Sequence, residues 1–219
     1  PLRNEVFWIG IATKGHSWAI PMGHKVGSLI EAEEVGDGST VPPVGYRKKL
    51  KNGQESTAKA RYTKPGTYDK PVKQLSRSVV FERLKPLFFS DLIKVGQNVK
   101  FDARSISKYY GAIPPGPYAD TMLLQHLVNE NLSNYSLETI IESNYNNHKA
   151  YERGGKLGGS ISKVTIDDAS LYVHRDARWT WLLYTRLIKK VNAYTDLRKA
   201  MTLDSQVLEV LMDMENQGI

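Results

Sequence analysis

The chain has 219 residues, of which 41% are hydrophobic and 24% are charged, a composition ordinary for a globular protein with a buried core. It contains no cysteine, which excludes a disulfide framework and a thiolate metal site. No apolar run approaches the roughly 20 residues that a membrane-spanning helix needs, and we expect no membrane partner. The net charge of +7 is concentrated in residues 46–77, where ten basic and two acidic residues give a local charge of +8.

The first third of the chain predicts a hairpin followed by an insertion. Strands over residues 6–12 and 17–20, joined by a turn at Gly15, are rich in β-branched and aromatic residues. Residues of about 25–75 carry many glycines and prolines and the basic excess, and we expect them to form an insertion with little regular structure. A short helix is then predicted from Val79, disturbed or ended by Pro86.

The basic part of the insertion allows two interpretations. It can attract phosphate backbones by counterion release, or it can be a solvated loop without a ligand. If it binds DNA, we expect the contacts to come from its first basic cluster, Arg47, Lys48, Lys49 and Lys51. Replacing these four residues with alanine would then weaken DNA binding and flatten its salt dependence.

The remainder predicts alternating strands and helices, and therefore an α/β sheet protein. A strand over residues 92–95 precedes a helix over 101–110 that stops at Gly111, and a second strand ends at Asp120. Asp120 can cap the next helix, and Ser136 can cap the one after it. After a flexible link at residues 154–159, Thr165 and Asp168 form a capping box for a helix to about residue 190, and a last helix covers about 203–215.

The first chemical motif is Asn98-x-x-Phe101-Asp102, which directly follows the strand ending in Val95-Gly96-Gln97. Sites in α/β sheets lie at the carboxyl ends of strands, so Asp102 is placed where a catalytic acid would be. Taken alone, this carboxylate can equally be a cap of the following helix. The motif therefore needs a second one to become specific.

The second motif is Tyr172-x-x-x-Asp176, followed by Ala177. A spacing of four places the phenol and the carboxylate on one face of a helix. Alone, such a pair is usually a surface contact. His174 is two residues from Asp176, which turns it about 200° away from that carboxylate, so we do not expect it to share the site.

Together, in this order, the two motifs resemble the second and third motifs of the proofreading 3′–5′ exonuclease domain of family A DNA polymerases. The stretches Val95–Asp102, Ala119–Leu123 and Tyr172–Ala177 carry the likeness, the last of the tyrosine subtype. Met214-Glu215-x-x-Gly218-Ile219 is similar to the helix that leads into the polymerase domain. The resemblance implies an exonuclease domain over residues 1–195 and the start of a polymerase connection over 196–219.

The resemblance also implies a chemistry. Asp102 and Asp176 would hold two Mg²⁺ or Mn²⁺ ions, Tyr172 would orient the attacking water, and Asn98, Gln97 and Phe101 would bind the terminal nucleotide. Two divalent ions can activate a water and stabilise the leaving oxygen of a phosphodiester, and carboxylate oxygens suit Mg²⁺. The expected substrate is a single-stranded 3′ end of DNA in a primer-template. The expected location is the cytoplasm of a bacterium or phage-infected host.

The family's first motif, Asp-x-Glu on a central strand, is not found in residues 1–30, which contain no aspartate. Asp213-Met214-Glu215 has the right letters at the wrong end of the chain, and we interpret it as a chance match. We therefore expect a ribonuclease H-like mixed sheet flanked by helices that lacks its first central strand, and little activity from this segment alone. A ribonuclease D-like exoribonuclease and a catalytically dead DNA-binding scaffold are the alternatives.

Overall fold

In the computed structural model of this chain, strands and helices alternate as predicted. The structure describes residues 6–24, 29–31, 34–35, 62–63, 67–68, 73–145, 161 and 164–218. Within them the helices are α1 (Arg77–Phe88), α2 (Val99–Tyr110), α3 (Thr121–Val128), α4 (Leu137–Tyr145), α5 (Ile166–Asn192) and α6 (Thr195–Gln217). The strands are β1 (Trp8–Thr13), β2 (His16–Pro21), β3 (Leu29–Glu31), β4 (Glu34–Val35), β5 (Tyr62–Thr63), β6 (Thr67–Tyr68), β7 (Lys94–Gly96) and β8 (Tyr118–Asp120). The mixed α/β class is confirmed, and no described helix is both long and apolar enough to cross a bilayer.

The predicted hairpin is formed by β1 and β2, which pair antiparallel from Trp8 opposite Pro21 to Thr13 opposite His16. Gly15 supplies the left-handed turn conformation, with φ of 88°. One face of the hairpin buries Ile9 against Val80 and Phe81 of α1. The hairpin is therefore held between α1 on one side and α5 on the other.

The described part of the predicted insertion contains four short strands that the sequence did not predict. β3 pairs antiparallel with β6, and β4 pairs antiparallel with β5. The basic cluster Arg47, Lys48, Lys49 and Lys51 lies outside the described residues, as does the predicted link at 154–159. The two strand pairs bring residues on either side of the basic cluster together.

Three predicted helices begin at other residues than expected. α2 begins at Val99 rather than Phe101. α1 begins at Arg77 behind the capping residue Ser76 and continues through Pro86 to Phe88. The helix continues for two residues beyond Pro86, although this residue has no N–H to bond the carbonyl of Glu82. α6 begins at Thr195 rather than near residue 203, so that it follows α5 after a short break at Ala193 and Tyr194.

The core of the domain lies around α5. Leu183, Leu187 and Val191 of this helix are fully buried, and they pack against residues of α3 and α4, namely Leu124, Ile140 and Ile141. The amino-terminal half of α5 packs against the strands, since α5 contacts β1, β2 and β7. This single helix therefore connects the hairpin to the parallel pair β7 and β8.

Candidate functional site

Asp120 organises the edge of the sheet where the first motif lies. β7 and β8 are parallel, with Gly96 opposite Asp120, so both strands end side by side. The buried Asp120 carboxylate accepts hydrogen bonds from the backbone N–H groups of Asn98 at 3.1 Å, Val99 at 2.9 Å and Met122 at 2.8 Å. It therefore caps the first turns of both α2 and α3. The sequence predicted only the cap of α3.

The loop that enters α2 has a conformation that few residues adopt. Asn98 is left-handed, with φ of 59° and ψ of 51°, and its side chain makes no capping hydrogen bond. Asparagine tolerates this region better than other non-glycine residues. As a result, the Asn98 side chain is exposed one helical turn before Asp102. Phe101 is also exposed, at 48% of its surface.

Gln97, which is predicted to bind the terminal nucleotide, uses its side-chain amide for hydrogen bonds within the protein. Its amide nitrogen donates to the carbonyl of Tyr135 at 2.7 Å, and its amide oxygen accepts from the hydroxyl of Thr121. Thr121 also donates to the carbonyl of Gly96 at 3.1 Å. These contacts tie the end of β7 to α3 and to the segment before α4.

Asp102 carries an unusual protonation equilibrium. Desolvation by the surrounding protein, and after it the charge of Asp120, raise the pKa of Asp102 to about 6. Asp102 is also open to solvent, so water screens part of the charge of Asp120. The pKa of Asp120 is itself raised by burial, against the lowering effect of its three backbone hydrogen bonds. Two acidic groups thus share this edge, an arrangement that a cation would stabilise.

The second motif lies on a part of α5 that packs directly against the hairpin. A Cβ atom at Gly10 of β1 would lie 2.8 Å from Cγ1 of Val173 and 3.3 Å from Cβ of Ala177. Only glycine fits there, because real Cβ contacts are essentially never that short. Gly10 therefore allows the turn of α5 between Tyr172 and Asp176 to rest directly on β1.

The direction in which the second motif faces follows from its neighbours. Nδ1 of His174 is 3.1 Å from the hydroxyl of Ser17, so this side of α5 lies over β2. Val173 lies over β1, about 100° around the helix from His174. Tyr172 is about another 100° in the same direction, with Asp176 between it and Val173. Both therefore face the side of β1 opposite to β2, and His174 does not, as predicted.

The carboxylates of the described residues are suitable ligands for a hard cation, but too few of them lie close together. Oxygen donors from carboxylates are the ligands that Mg²⁺ prefers. Across the described ranges, no three His, Asp or Glu side chains are close enough together to hold a metal ion. The described acids alone therefore do not form a complete metal site.

In the sequence Asp213-Met214-Glu215, the last residue forms ionic contacts with α2. Both carboxylate oxygens of Glu215 contact cations of α2, one the ammonium of Lys100 and the other the guanidinium of Arg104 at 2.6 Å. The hydrogen bond with Lys100 is the largest of the effects that lower the pKa of Glu215. Asp213 is exposed. Glu215 thus connects α6 to α2, which agrees with the interpretation that Asp213-Met214-Glu215 is not a first motif.

Comparisons with known proteins point to one family. The family described as 3′–5′ exonuclease matches residues 61–192, which include both motifs. DNA polymerase I of Borreliella burgdorferi is 30% identical over 148 residues, which cover 66% of this chain and 16% of that protein. DNA polymerase I of Synechocystis sp. is 29% identical over 157 residues, covering 67% of this chain and 15% of that protein. The chain thus spans about one sixth of the length of these relatives.

Proposed function

Since the chain belongs to the 3′–5′ exonuclease family of family A DNA polymerases, we propose that it is the proofreading portion of such a polymerase. Its substrate is the single-stranded 3′ end of a DNA primer, from which it releases nucleoside 5′-monophosphates in the cytoplasm. The observation that carries this proposal is the placement of the second motif. Tyr172 and Asp176 face the side of β1 opposite to β2, and α5 also packs against β7, the strand that leads to Asp102.

Each motif residue has a proposed role. Asp102 and Asp176 hold divalent ions, Mg²⁺ or Mn²⁺, which supply an activated water and stabilise the leaving oxygen. The Tyr172 hydroxyl orients the attacking water. The exposed side chains of Asn98 and Phe101 contact the terminal nucleotide, by hydrogen bonding and by stacking on the base.

Gln97 has a proposed role of a different kind. The Gln97 amide is engaged with Tyr135 and Thr121. It therefore serves substrate binding by fixing the loop on which Asn98 lies. Of the three residues proposed to bind the terminal nucleotide, Asn98 and Phe101 are the exposed ones.

The pair of β1 with β2 and the pair of β7 with β8 also support a ribonuclease H-like sheet. Among the described strands, β1 pairs only with β2 and β7 only with β8, while α5 packs against both pairs. A further strand between β1 and β7 would join them into one mixed sheet, and it would satisfy the backbone groups at both inner edges. In this family we expect that strand to carry Asp-x-Glu, which would complete the acidic site.

A nuclease assay on the polypeptide in which this chain occurs tests the proposal. A 5′-labelled single-stranded DNA should be shortened from its 3′ end in the presence of Mg²⁺, and Asp102→Asn or Asp176→Asn should reduce the rate by at least about 100-fold. Asp213→Asn makes the same chemical change at an exposed position and should leave the rate unchanged.

Three results would contradict the proposal, each in a different way. A strong preference for RNA ends would favour the ribonuclease D-like alternative. DNA binding without Mg²⁺-dependent cleavage would favour the scaffold. Full activity of both aspartate variants would show that the motifs do not form the site.

A further inference from the structure

A buried histidine holds the beginning of α5 against the hairpin. His24, which follows β2, is only 2% exposed, and its Nδ1 accepts a hydrogen bond from the indole N–H of Trp8 at 3.1 Å. An indole N–H can only donate, so the hydrogen of the neutral imidazole is on Nε2. Nε2 lies 2.9 Å from the carbonyl of Val164, to which it therefore donates. Val164 directly precedes Thr165, the cap of α5.

The backbone of His24 is fixed as well. The amide oxygen of Gln74 accepts hydrogen bonds from the N–H groups of Gly23 and His24, each at 2.8 Å. The amide nitrogen of Gln74 donates to the carbonyl of His24 at 2.9 Å. Both ring nitrogens and both backbone polar groups of His24 are thus engaged, and the start of α5 is attached to a rigid point.

A second histidine connects α5 to the hairpin within the second motif itself. Nδ1 of His174 lies 3.1 Å from the hydroxyl of Ser17 on β2, and both residues are half-buried. The neighbouring contact with β1 is of another kind, because Val173 and Ala177 rest on Gly10 through apolar atoms. Apolar packing is non-directional, so this contact leaves α5 free to roll by a few degrees. The bond from His174 to Ser17 is directional and opposes that roll.

A roll of α5 would displace the two motif side chains directly. Tyr172 and Asp176 are each two residues from His174, one on either side. Side chains extend about 5–6 Å from a helix axis, so a roll of about 5° shifts their ends by about 0.5 Å. Reacting groups must be held to within about 0.5 Å, and a misplacement of about 1 Å can lower a rate by about 100-fold. The rotation of α5 is therefore a quantity that an enzyme built on this motif has to fix.

We propose that His174 is a positioning residue of the exonuclease reaction, an inference that rests on the function proposed above. Through the hydroxyl of Ser17 it fixes the rotation of α5, and with it the directions of Tyr172 and Asp176. His174 itself points about 200° away from both motif side chains, so it acts through the helix and not on the substrate. In this way β2, which carries none of the motif residues, contributes to the geometry of the site.

Substitutions at Ser17 test the proposal in the polypeptide in which this chain occurs. Ser17→Ala removes the hydroxyl, and Ser17→Thr keeps it. Thr13→Ala is the matched control, since Thr13 is exposed on the same hairpin and alternates to the face opposite Gly10. For each variant, the shortening of a 5′-labelled single-stranded DNA is measured over a series of Mg²⁺ concentrations. Hydrogen–deuterium exchange of the backbone amides of residues 170–178 is measured in parallel and does not depend on activity.

For Ser17→Ala we expect kcat to fall about tenfold and the Mg²⁺ concentration of half-maximal rate to rise at least about threefold. The KM for DNA should stay unchanged, because the residues proposed to bind the nucleotide lie on or next to α2 and not on α5. Amides 170–178 should exchange faster. Ser17→Thr should restore all three quantities, and Thr13→Ala should keep the unsubstituted values.

A double-mutant cycle with His174→Ala shows whether the two residues act through one contact. Once either partner is removed, the second substitution cannot break the bond again, so Ser17→Ala combined with His174→Ala should be no slower than His174→Ala alone. Effects that multiply would overturn the proposal. A Mg²⁺ requirement that stays unchanged in Ser17→Ala would also overturn it, because a loss of folded protein lowers the rate by the same factor at every Mg²⁺ concentration.

Failure of the positioning role and failure of the proposed function give different results. If the unsubstituted polypeptide does not shorten DNA, the exonuclease function is refuted, and the exchange of residues 170–178 alone decides whether Ser17 holds α5. If the unsubstituted polypeptide cleaves DNA but Ser17→Ala changes neither the exchange nor the Mg²⁺ requirement, the function stands and the positioning role of His174 is overturned.

Discussion

Asp120 is the residue whose removal tests the architecture of the site most directly. Its carboxylate accepts three backbone hydrogen bonds, and these serve the first turns of two helices. Only 6% of the residue is exposed, so water cannot readily replace the lost acceptor. We therefore expect Asp120 to stabilise the domain although it does not belong to either sequence motif.

The structure sets the size of the effect. In Asp120→Asn the amide oxygen can retain the bonds of Oδ1 to Asn98 and Met122, but the amide NH₂ then faces the N–H of Val99. One buried donor loses its acceptor, which costs about 1–3 kcal/mol. Asp120→Ala removes all three bonds and both caps, which we expect to cost about 2–5 kcal/mol.

Urea denaturation followed by circular dichroism measures these costs. With a slope of about 2 kcal/mol per molar urea, the midpoint should fall by roughly 0.5–1.5 M for Asp120→Asn and 1–2.5 M for Asp120→Ala, at an unchanged slope. Asp196→Asn is the matched control. Asp196 lies in the first turn of α6, its side chain is 97% exposed, and its 3.9 Å pair with Lys199 is a surface contact worth little.

The order of the three variants decides the outcome. If Asp120→Ala unfolds at the same urea concentration as Asp196→Asn, the double cap does not stabilise the protein and the described geometry of this edge is wrong. If Asp120→Asn is as damaging as Asp120→Ala, the retained amide oxygen makes no useful bond. The two carboxylate oxygens of Asp120 would then not have the separate roles that the hydrogen bonds indicate.

Three further predictions follow from individual contacts. Gly10→Ala brings a Cβ to 2.8 Å from Val173. This close contact should destabilise the domain by about 1–3 kcal/mol, measured by urea denaturation. An unchanged midpoint would show that α5 does not rest on β1. Asp102→Asn should stabilise the metal-free protein at pH 8, with the gain vanishing below pH 4. The reason is that the pKa of Asp102 is about 6 in the folded state and about 4 in the unfolded state. The free energy of unfolding of the unsubstituted protein therefore falls as the pH rises from about 4 to about 6. An equal gain in stability at both pH values would contradict this prediction. Glu215→Gln should cost at most about 1 kcal/mol at pH 7, and high salt should diminish this cost, since the two cations of α2 hold the carboxylate in its ionised form; a cost independent of salt would count against an ionic contact.

The local sequence pattern was sufficient to predict those elements whose structure depends on residues adjacent in the chain. The hairpin at residues 8–21, the stop of α2 at Gly111 and the cap of α5 by Thr165 were all predicted. In each case the turn or cap is formed within a few residues. The boundaries of α1 and α6 were mispredicted. α1 is capped by Ser76 and continues past Pro86, and residues 195–202 of α6 pack Leu197 and Met201 against the core around α5, a contact that the local pattern does not reveal.

The candidate site also has parts that the sequence predicts and parts that only tertiary contacts determine. The sequence by itself determined the two motifs, their order and the helix face shared by Tyr172 and Asp176, since a period of 3.6 residues fixes that face. Only the tertiary structure decided that Asp120 caps two helices and affects the pKa of Asp102, and that Gly10 admits α5 to the hairpin. It alone left the apolar side chains of Leu203, Val207 and Val210 on α6 exposed. These features depend on contacts between residues far apart in the chain, and local periodicity carries no information on which distant side chains will meet.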